Sequence, residues 1–198
     1  MENDAKAITV YGASSPAVDD IYKEAAKETG RLIALSGHTL VSGGGRTGLM
    51  GAAIEGACAA CGKTIGVLPR FMDERGWGNH LLSEKIVTPD MHTRKAAMMN
   101  MSLGAIALPG GIGTFEELME AITWRQLNIY QGNVVILNTA GYYNPLLEML
   151  QRTIEQHFMR DDHTDLWQVA STPSEAVKMV TSATAHCDFS QKIPDTRN

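Results

Sequence analysis

The sequence lacks the marks of several protein classes. It has three cysteines in 198 residues, an odd count that argues against a disulfide framework and fits a reducing compartment. No apolar run reaches the roughly 20 residues needed to cross a bilayer. The acidic start Met1-Glu2-Asn3-Asp4 is not followed by the apolar stretch of a signal peptide, so a cytoplasmic location is expected, with no membrane partner. Positive charge is also short. Lys plus Arg number 17 against 22 Asp plus Glu, for a net charge of −5, which disfavours a general nucleic-acid-binding surface. The six histidines form no cluster with metal-ligand spacing. There is no internal repeat and no low-complexity linker.

What is present fits one globular domain over residues 1–198, with a core from about residue 6 to 182 and a loose polar tail from 188 to 198. Hydrophobic residues make up 44% and charged residues 20% of the chain, which leaves enough apolar side chain for a sizeable core. Short apolar runs alternate with helical periodicity. Ala7 to Tyr11, Thr39 to Val41, Thr64 to Leu68, Ile86-Val87, Ala105 to Leu108, Val134 to Leu137 and Leu166 to Val169 read as strands. Ser15 is placed to cap a first helix opening at Pro16, and Leu49 to Ala60 reads as a helix of small residues. Asp90 is placed to cap a helix through Arg94 and Met98. Further helices follow at Leu118 to Leu127, Pro145 to Phe158 and Pro173 to about Val180. Arg70 to His80 reads as a long irregular loop. This alternation predicts an α/β fold: a Rossmann-like, doubly wound, mostly parallel sheet of about seven strands with helices on both faces. Ligands in such sheets sit at the carboxyl ends of strands. The turns after strands one, two and five share that edge, and so does the start of the Arg94 helix. That collects Ser14, Ser15, Gly44 and Met91 beside the glycine turn at Gly110.

The stretch Leu108-Pro109-Gly110-Gly111-Ile112-Gly113-Thr114-Phe115-Glu116-Glu117 reads as strand, glycine-rich turn and helix N-terminus. Glycine lets a ligand approach the backbone closely, and free N–H groups at a helix start attract an anion. Glu116 and Glu117 fall in the expected first turn of that helix, beside the anion site. A ligand-free alternative exists, because Thr114 and Glu117 also fit a T-x-x-E capping box.

Other motifs read less specifically. Gly43-Gly44-Gly45-Arg46-Thr47-Gly48 fits G-x-G-x-x-G, but it follows the second strand, and the next strand ends Val67-Leu68-Pro69 without an acid for a ribose hydroxyl. A second glycine turn lining a small nucleotide site suits it better than a dinucleotide fingerprint. Gly62-Lys63-Thr64 lacks the earlier P-loop glycine, with Ala57 in its place, and reads as a helix stop. Cys58-Ala59-Ala60-Cys61 lacks a second ligand pair and reads as two small residues on a packed helix. In Met91-His92-Thr93-Arg94-Lys95, an arginine suited to bidentate grip of phosphate or carboxylate stands beside a lysine.

Taken together, Pro109-Gly110-Gly111-x-Gly113-Thr114-x-x-Glu117 and the preceding Met91-His92-x-Arg94-Lys95 resemble the LONELY GUY (LOG) family, cytokinin riboside 5′-monophosphate phosphoribohydrolases often mislabelled as lysine decarboxylases. The resemblance runs from about Val10 to Phe158. It takes in Gly43 to Gly45 with Gly48-Leu49-Met50-Gly51, then Ala121-Ile122-Thr123-Trp124 and Gly141-Tyr142-Tyr143-Asn144-Pro145-Leu146. It implies hydrolysis of the N-glycosidic bond of a nucleoside 5′-monophosphate to free base and ribose 5-phosphate, without metal or organic cofactor. The family's catalytic pair falls on Arg94 and Glu117. Its substrate-binding positions fall on Lys95, Gly111, Ile112, Gly113, Thr114, Glu116 and Thr123. An acid in the loop before the arginine motif matches Glu74 loosely. A homodimer or higher homo-oligomer is implied as well. The chain departs from the family pattern at Tyr11 to Ser15, at Arg46-Thr47, at Ile112 and around Trp77, which leaves base preference open. Two other readings remain: a nucleotide carrier on the same fold, and a pyridoxal-phosphate decarboxylase, for which Lys95 is the only nearby lysine.

Overall fold

The inner strands are short runs rich in β-branched and small apolar residues, and each strand of the single sheet is followed by a helix on one of its faces. A computed structural model of the chain describes residues 7–183. The strands are β1 (Ala7–Tyr11), β2 (Thr39–Ser42), β3 (Thr64–Pro69), β4 (Glu84–Thr88), β5 (Ser102–Ala107), β6 (Asn133–Leu137) and β7 (Gln168–Ala170). They stand in the order β4-β3-β2-β1-β5-β6-β7, and every pair is parallel. The expected "mostly parallel" sheet is thus wholly parallel among the described residues. Strand order reverses between the neighbouring strands β1 and β5, so the helices that follow them pack on opposite faces of the sheet and leave the crevice in which such sheets bind ligands.

Both faces of the sheet are covered at its inner strands β1, β2, β3 and β6, which are buried throughout, whereas the edge strand β4 is mostly exposed. Alternate residues serve opposite faces. Tyr11, Val41, Val67 and Ile136 pack with Met98 and Leu118, under α4 (Met91–Asn100) and α5 (Ile112–Gln126). Ile8, Val10, Leu40 and Val135 pack with Ile33, Ile54 and Val177, under α1 (Asp20–Leu35), α2 (Gly48–Ala59) and α7 (Pro173–Thr181). A short α3 (Arg70–Glu74) and α6 (Asn144–Glu155) complete the set.

Several local expectations give way to tertiary demands. The first helix opens at Asp20, not Pro16. Ser15 Oγ accepts from the Ala17 N–H at 3.3 Å, closing a single turn, and residues 16–19 remain on the rim above β1. The segment Arg70 to His80 is not wholly irregular, because α3 occupies its first half. The Thr114/Glu117 capping box does not form. Gly111 is the N-cap of α5 without a side-chain cap, so the helix begins three residues earlier than that pattern needs. Glu116 and Glu117 therefore sit in the second turn rather than the first. The sixth helix ends at Glu155, ahead of His157, whose φ is +61°, and it leaves Phe158 85% exposed. Leu166 closes a 3-10 turn ahead of β7 instead of opening that strand. Cys58 packs on α2 as expected, whereas Cys61 lies past the helix end, exposed and with φ +56°. Asp90 caps α4 as the sequence predicts, accepting from the Thr93 N–H at 2.8 Å. The tail from 188, and Cys187, lie outside the described residues.

Candidate functional site

At the carboxyl edge of the sheet the turns after β1, β2, β3 and β5 enclose a cavity of ≈ 640 Å³, a size usual for small-molecule sites. Ser14 and Ser15 line it from the β1 turn, and Gly43, Gly45, Arg46 and Thr47 from the β2 turn. Met91 and Arg94 come from α4, and Gly111, Gly113, Thr114, Glu116 and Glu117 from the start of α5. Four turns and two helix starts far apart in the chain thus meet because the parallel sheet aligns all its strand ends.

The polar centre is an ion pair between α4 and α5. Arg94 Nη1 donates to Glu117 Oε1 at 2.8 Å, with side chains 6% and 11% exposed. Arg94 Nε donates to the Val67 carbonyl at 3.0 Å, which ties the guanidinium to the end of β3. Its Nη2 lies against Gly43, where a Cβ would come within 2.0 Å of that nitrogen. Only glycine leaves the arginine its place. Nη2 and the second Glu117 oxygen have no hydrogen-bond partner among the described residues. Burial pushes the Glu117 carboxyl above the ordinary glutamate range, and Arg94 opposes that rise by charge and hydrogen bond. Helix-dipole support fades after the first turn, so in the second turn Arg94, not the dipole, is what favours the Glu117 carboxylate.

Of the N-termini of α2, α4 and α5 at the cavity, that of α5 is open, whereas Asp90 caps α4. In α2 the Leu49 and Met50 N–H groups donate to the Ala13 carbonyl at 2.8 and 3.4 Å, so this start is already occupied by backbone oxygen. In α5 the first amide with a carbonyl partner is Phe115, which donates to Gly111 at 3.0 Å. The Gly111, Ile112, Gly113 and Thr114 amides stand ahead of it without partners among the described residues, the arrangement that binds an anion. The Gly43 to Gly45 turn is therefore wall, and the Gly110 to Gly113 turn leads into the open amides.

The remaining residues singled out from the sequence lie outside the cavity. Gly44 has φ +70°, and a Cβ there would meet Leu68 rather than the cavity. Gly110 borders a second, smaller cleft. Ile112 is 81% exposed. Glu74 is exposed at the end of α3, although Met72 and Trp77 of the same segment line the cavity. Thr123 is exposed on α5 and donates to the Met119 carbonyl at 2.7 Å. Lys95 is buried and paired with Glu116, and with Glu120 at 3.2 Å. Burial would lower its pKa, but the hydrogen bonds to Glu116 and Glu120 outweigh burial and raise it. It is a strut between α4 and α5.

Met50, Leu68 and Met72 were not foreseen as lining residues. With Trp77 and Met91 they form an apolar wall. Trp77 is held by the Arg75 guanidinium, 5.4 Å from its ring centre and 5.9 Å from that of Phe71. The signals for these residues were their place at or just after the ends of strands two and three and, for Met50, its place in the Gly48-Leu49-Met50-Gly51 stretch of the family resemblance.

Comparison with known proteins identifies the family. Residues 50–180 match the family model described as "Possible lysine decarboxylase". The chain is 39% identical over 171 residues to the probable cytokinin riboside 5′-monophosphate phosphoribohydrolase LOGL2 of Oryza sativa subsp. japonica, covering 86% of this chain and 70% of that one. It is 39% identical over 155 residues to the cytokinin riboside 5′-monophosphate phosphoribohydrolase of Rhodococcoides fascians, covering 78% of each. Among solved structures, the molybdenum cofactor binding protein of Rippkaea orientalis superposes with a TM-score of 0.68 at 25% identity, over 88% of this chain and 95% of that one. The parallel fold, the glycine turn opening α5 and these identities over most of the chain place this protein in the LONELY GUY family of cytokinin riboside 5′-monophosphate phosphoribohydrolases.

Proposed function

We propose that the protein hydrolyses the N-glycosidic bond of a nucleoside 5′-monophosphate, AMP or an N6-modified cytokinin riboside 5′-monophosphate, to free base and ribose 5-phosphate. The observation that carries this reading is the buried Arg94–Glu117 pair, 2.8 Å apart, in one cavity with the open N-terminus of α5. The Gly111 to Thr114 amides hold the 5′-phosphate. The ribose then lies by Glu117, and the base lies against the wall of Met50, Leu68, Met72 and Trp77. As the C1′–N bond breaks, positive charge grows on the sugar ring, and a carboxylate beside it stabilises that charge and orients the attacking water. The unpaired Nη2 of Arg94 is available to a ribose hydroxyl, and its Nη1 keeps Glu117 aligned and ionised.

Lys95 does not fit the decarboxylase reading. A Schiff base needs a neutral amine facing the cofactor. Lys95 is held charged between two glutamates and does not line the cavity. Like the family resemblance, the exposed Leu127, Ile129 and Phe158 support a homodimer, in which a partner would cover apolar surface.

The test is base release from AMP, N6-isopentenyl-AMP, GMP and CMP, followed by chromatography. Adenine-type base should be released by the native protein, and release should fall by roughly 10²-fold or more in Glu117→Gln and in Arg94→Ala. Wild-type rates in those variants would refute the mechanism. Tight AMP binding with no release of base would favour a carrier instead, the reading supported by the likeness to a molybdenum cofactor binding protein.

A further inference from the structure

We propose that the Tyr142 hydroxyl is a positioning group for the phosphate cradle. It fixes the Gly110–Gly111 peptide so that the Gly111 N–H, and not the Gly110 carbonyl, faces the anion. The inference rests on the nucleotide reading above and adds a residue to it.

A Gly–Gly peptide is the easiest in a protein to flip, because neither flanking residue has a Cβ to resist the change. In the cradle such a flip would replace an N–H with a carbonyl oxygen and turn attraction for phosphate into repulsion. The fold holds this peptide from outside the site. Tyr142 Oη donates to the Gly110 carbonyl at 2.6 Å, and Tyr143 Oη donates to the Leu108 carbonyl at 2.7 Å. Two neighbouring phenols thus anchor two carbonyls of one turn. A trans peptide points its carbonyl and its N–H in opposite directions, and the chain has no cis bond among the described residues. Anchoring the Gly110 carbonyl therefore aims the Gly111 N–H to the other side.

The cavities agree with that assignment. Gly110 and Tyr142 line a cleft of ≈ 340 Å³ beneath the turn. Gly113 and Thr114 line the main cavity, and Gly111 borders both. The peptide is the partition between the two spaces, with its oxygen on the Tyr142 side.

Tyr142 is itself held in place. Its ring packs edge-on against Tyr22 and Tyr143, with centroids 5.9 and 5.1 Å away. The chain reaches it through Ala140 and Gly141, at φ +52° and +73°. A left-handed alanine carries a cost and persists here because Asn138 closes the turn. The Asn138 carbonyl accepts from the Gly141 N–H at 3.2 Å and its Oδ1 from the Tyr143 N–H at 2.8 Å.

The experiment compares the native protein with Tyr142→Phe, which deletes the donor and keeps the ring. Tyr22→Phe is the control, because its hydroxyl has no partner among the described residues. Affinities for ribose 5-phosphate and for adenine are measured separately by calorimetry, with KM and kcat for AMP and the melting temperature alongside. Tyr142→Phe should weaken ribose 5-phosphate binding by roughly tenfold and leave adenine affinity and melting temperature unchanged. KM for AMP should rise while kcat stays close to wild type. Unchanged ribose 5-phosphate affinity would overturn the proposal. Equal weakening for both ligands would also overturn it, since the hydroxyl would then serve the fold rather than the cradle. A native protein that binds ribose 5-phosphate but releases no base would end the hydrolase reading, and the Tyr142 comparison would still decide this one. A native protein that does not bind ribose 5-phosphate would remove the cradle and overturn the proposal with it.

Discussion

At the scale of single residues the site turns on one carboxyl. Glu117 lies 11% exposed against Arg94, where burial raises its pKa and the guanidinium counters the rise. An acid whose folded pKa exceeds its unfolded value favours the fold below the unfolded pKa, and that advantage is lost as pH rises through the folded value. An NMR titration of labelled glutamate should therefore place the Glu117 midpoint above 4.5, and Arg94→Ala should raise it further. A midpoint at or below 4.5 would contradict the burial argument. By the same sign, Glu117→Gln should lose activity without lowering the melting temperature at neutral pH. The sequence made both residues legible through the glycine motif and the arginine motif. It did not show their pairing, because nothing local links positions 23 residues apart, nor could it show that Gly43 leaves room for the guanidinium.

At the scale of elements, small residues decide how the helices meet. In α1 a Cβ on Gly30 would come within 1.9 Å of the Ala53 carbonyl oxygen, and in α2 a Cβ on Gly56 within 1.8 Å of that of Lys27. The two helices therefore cross backbone to backbone, which fixes how far α2 sits from the sheet and where Met50 reaches the cavity. Gly56→Ala should destabilise the fold by about 1–3 kcal/mol, read as a lower urea midpoint. An unchanged midpoint would mean that the crossing tolerates a methyl group. The sequence announced α2 as a helix of small residues but not what those residues face. The failed capping box has the same origin. Thr114 and Glu117 satisfy the local pattern, yet Glu117 meets Arg94 and Thr114 packs over Gly110, where a Cβ would come within 2.1 Å of its hydroxyl. A tertiary partner outweighs a local cap.

At the scale of the whole molecule, the strand order places the turns after β1 and β5 side by side and aligns the turns that line the cavity on one edge. No helix among the described residues is long and apolar enough to cross a membrane. In the proposed homodimer a second copy covers the exposed apolar residues at the ends of α5 and α6. Light scattering at micromolar concentration should give at least twice the mass of the chain, and a monomer would remove the dimer from the proposal.

Periodicity, glycine turns and the Asp90 cap were enough to determine an α/β fold with parallel strands, the edge that carries the site and the two motifs that supply its charges. These are local signals: spacing of 2 or 3.6 residues and the backbone freedom of glycine are written within a few positions of where they act. Only the tertiary structure decided which helix N-terminus is open, which glycines line the cavity, that Lys95 is a strut, and that Met50, Leu68, Met72 and Trp77 share a wall. Each of those depends on contacts between turns from different strands, and the packing of the sheet, not the spacing along the chain, brings them together.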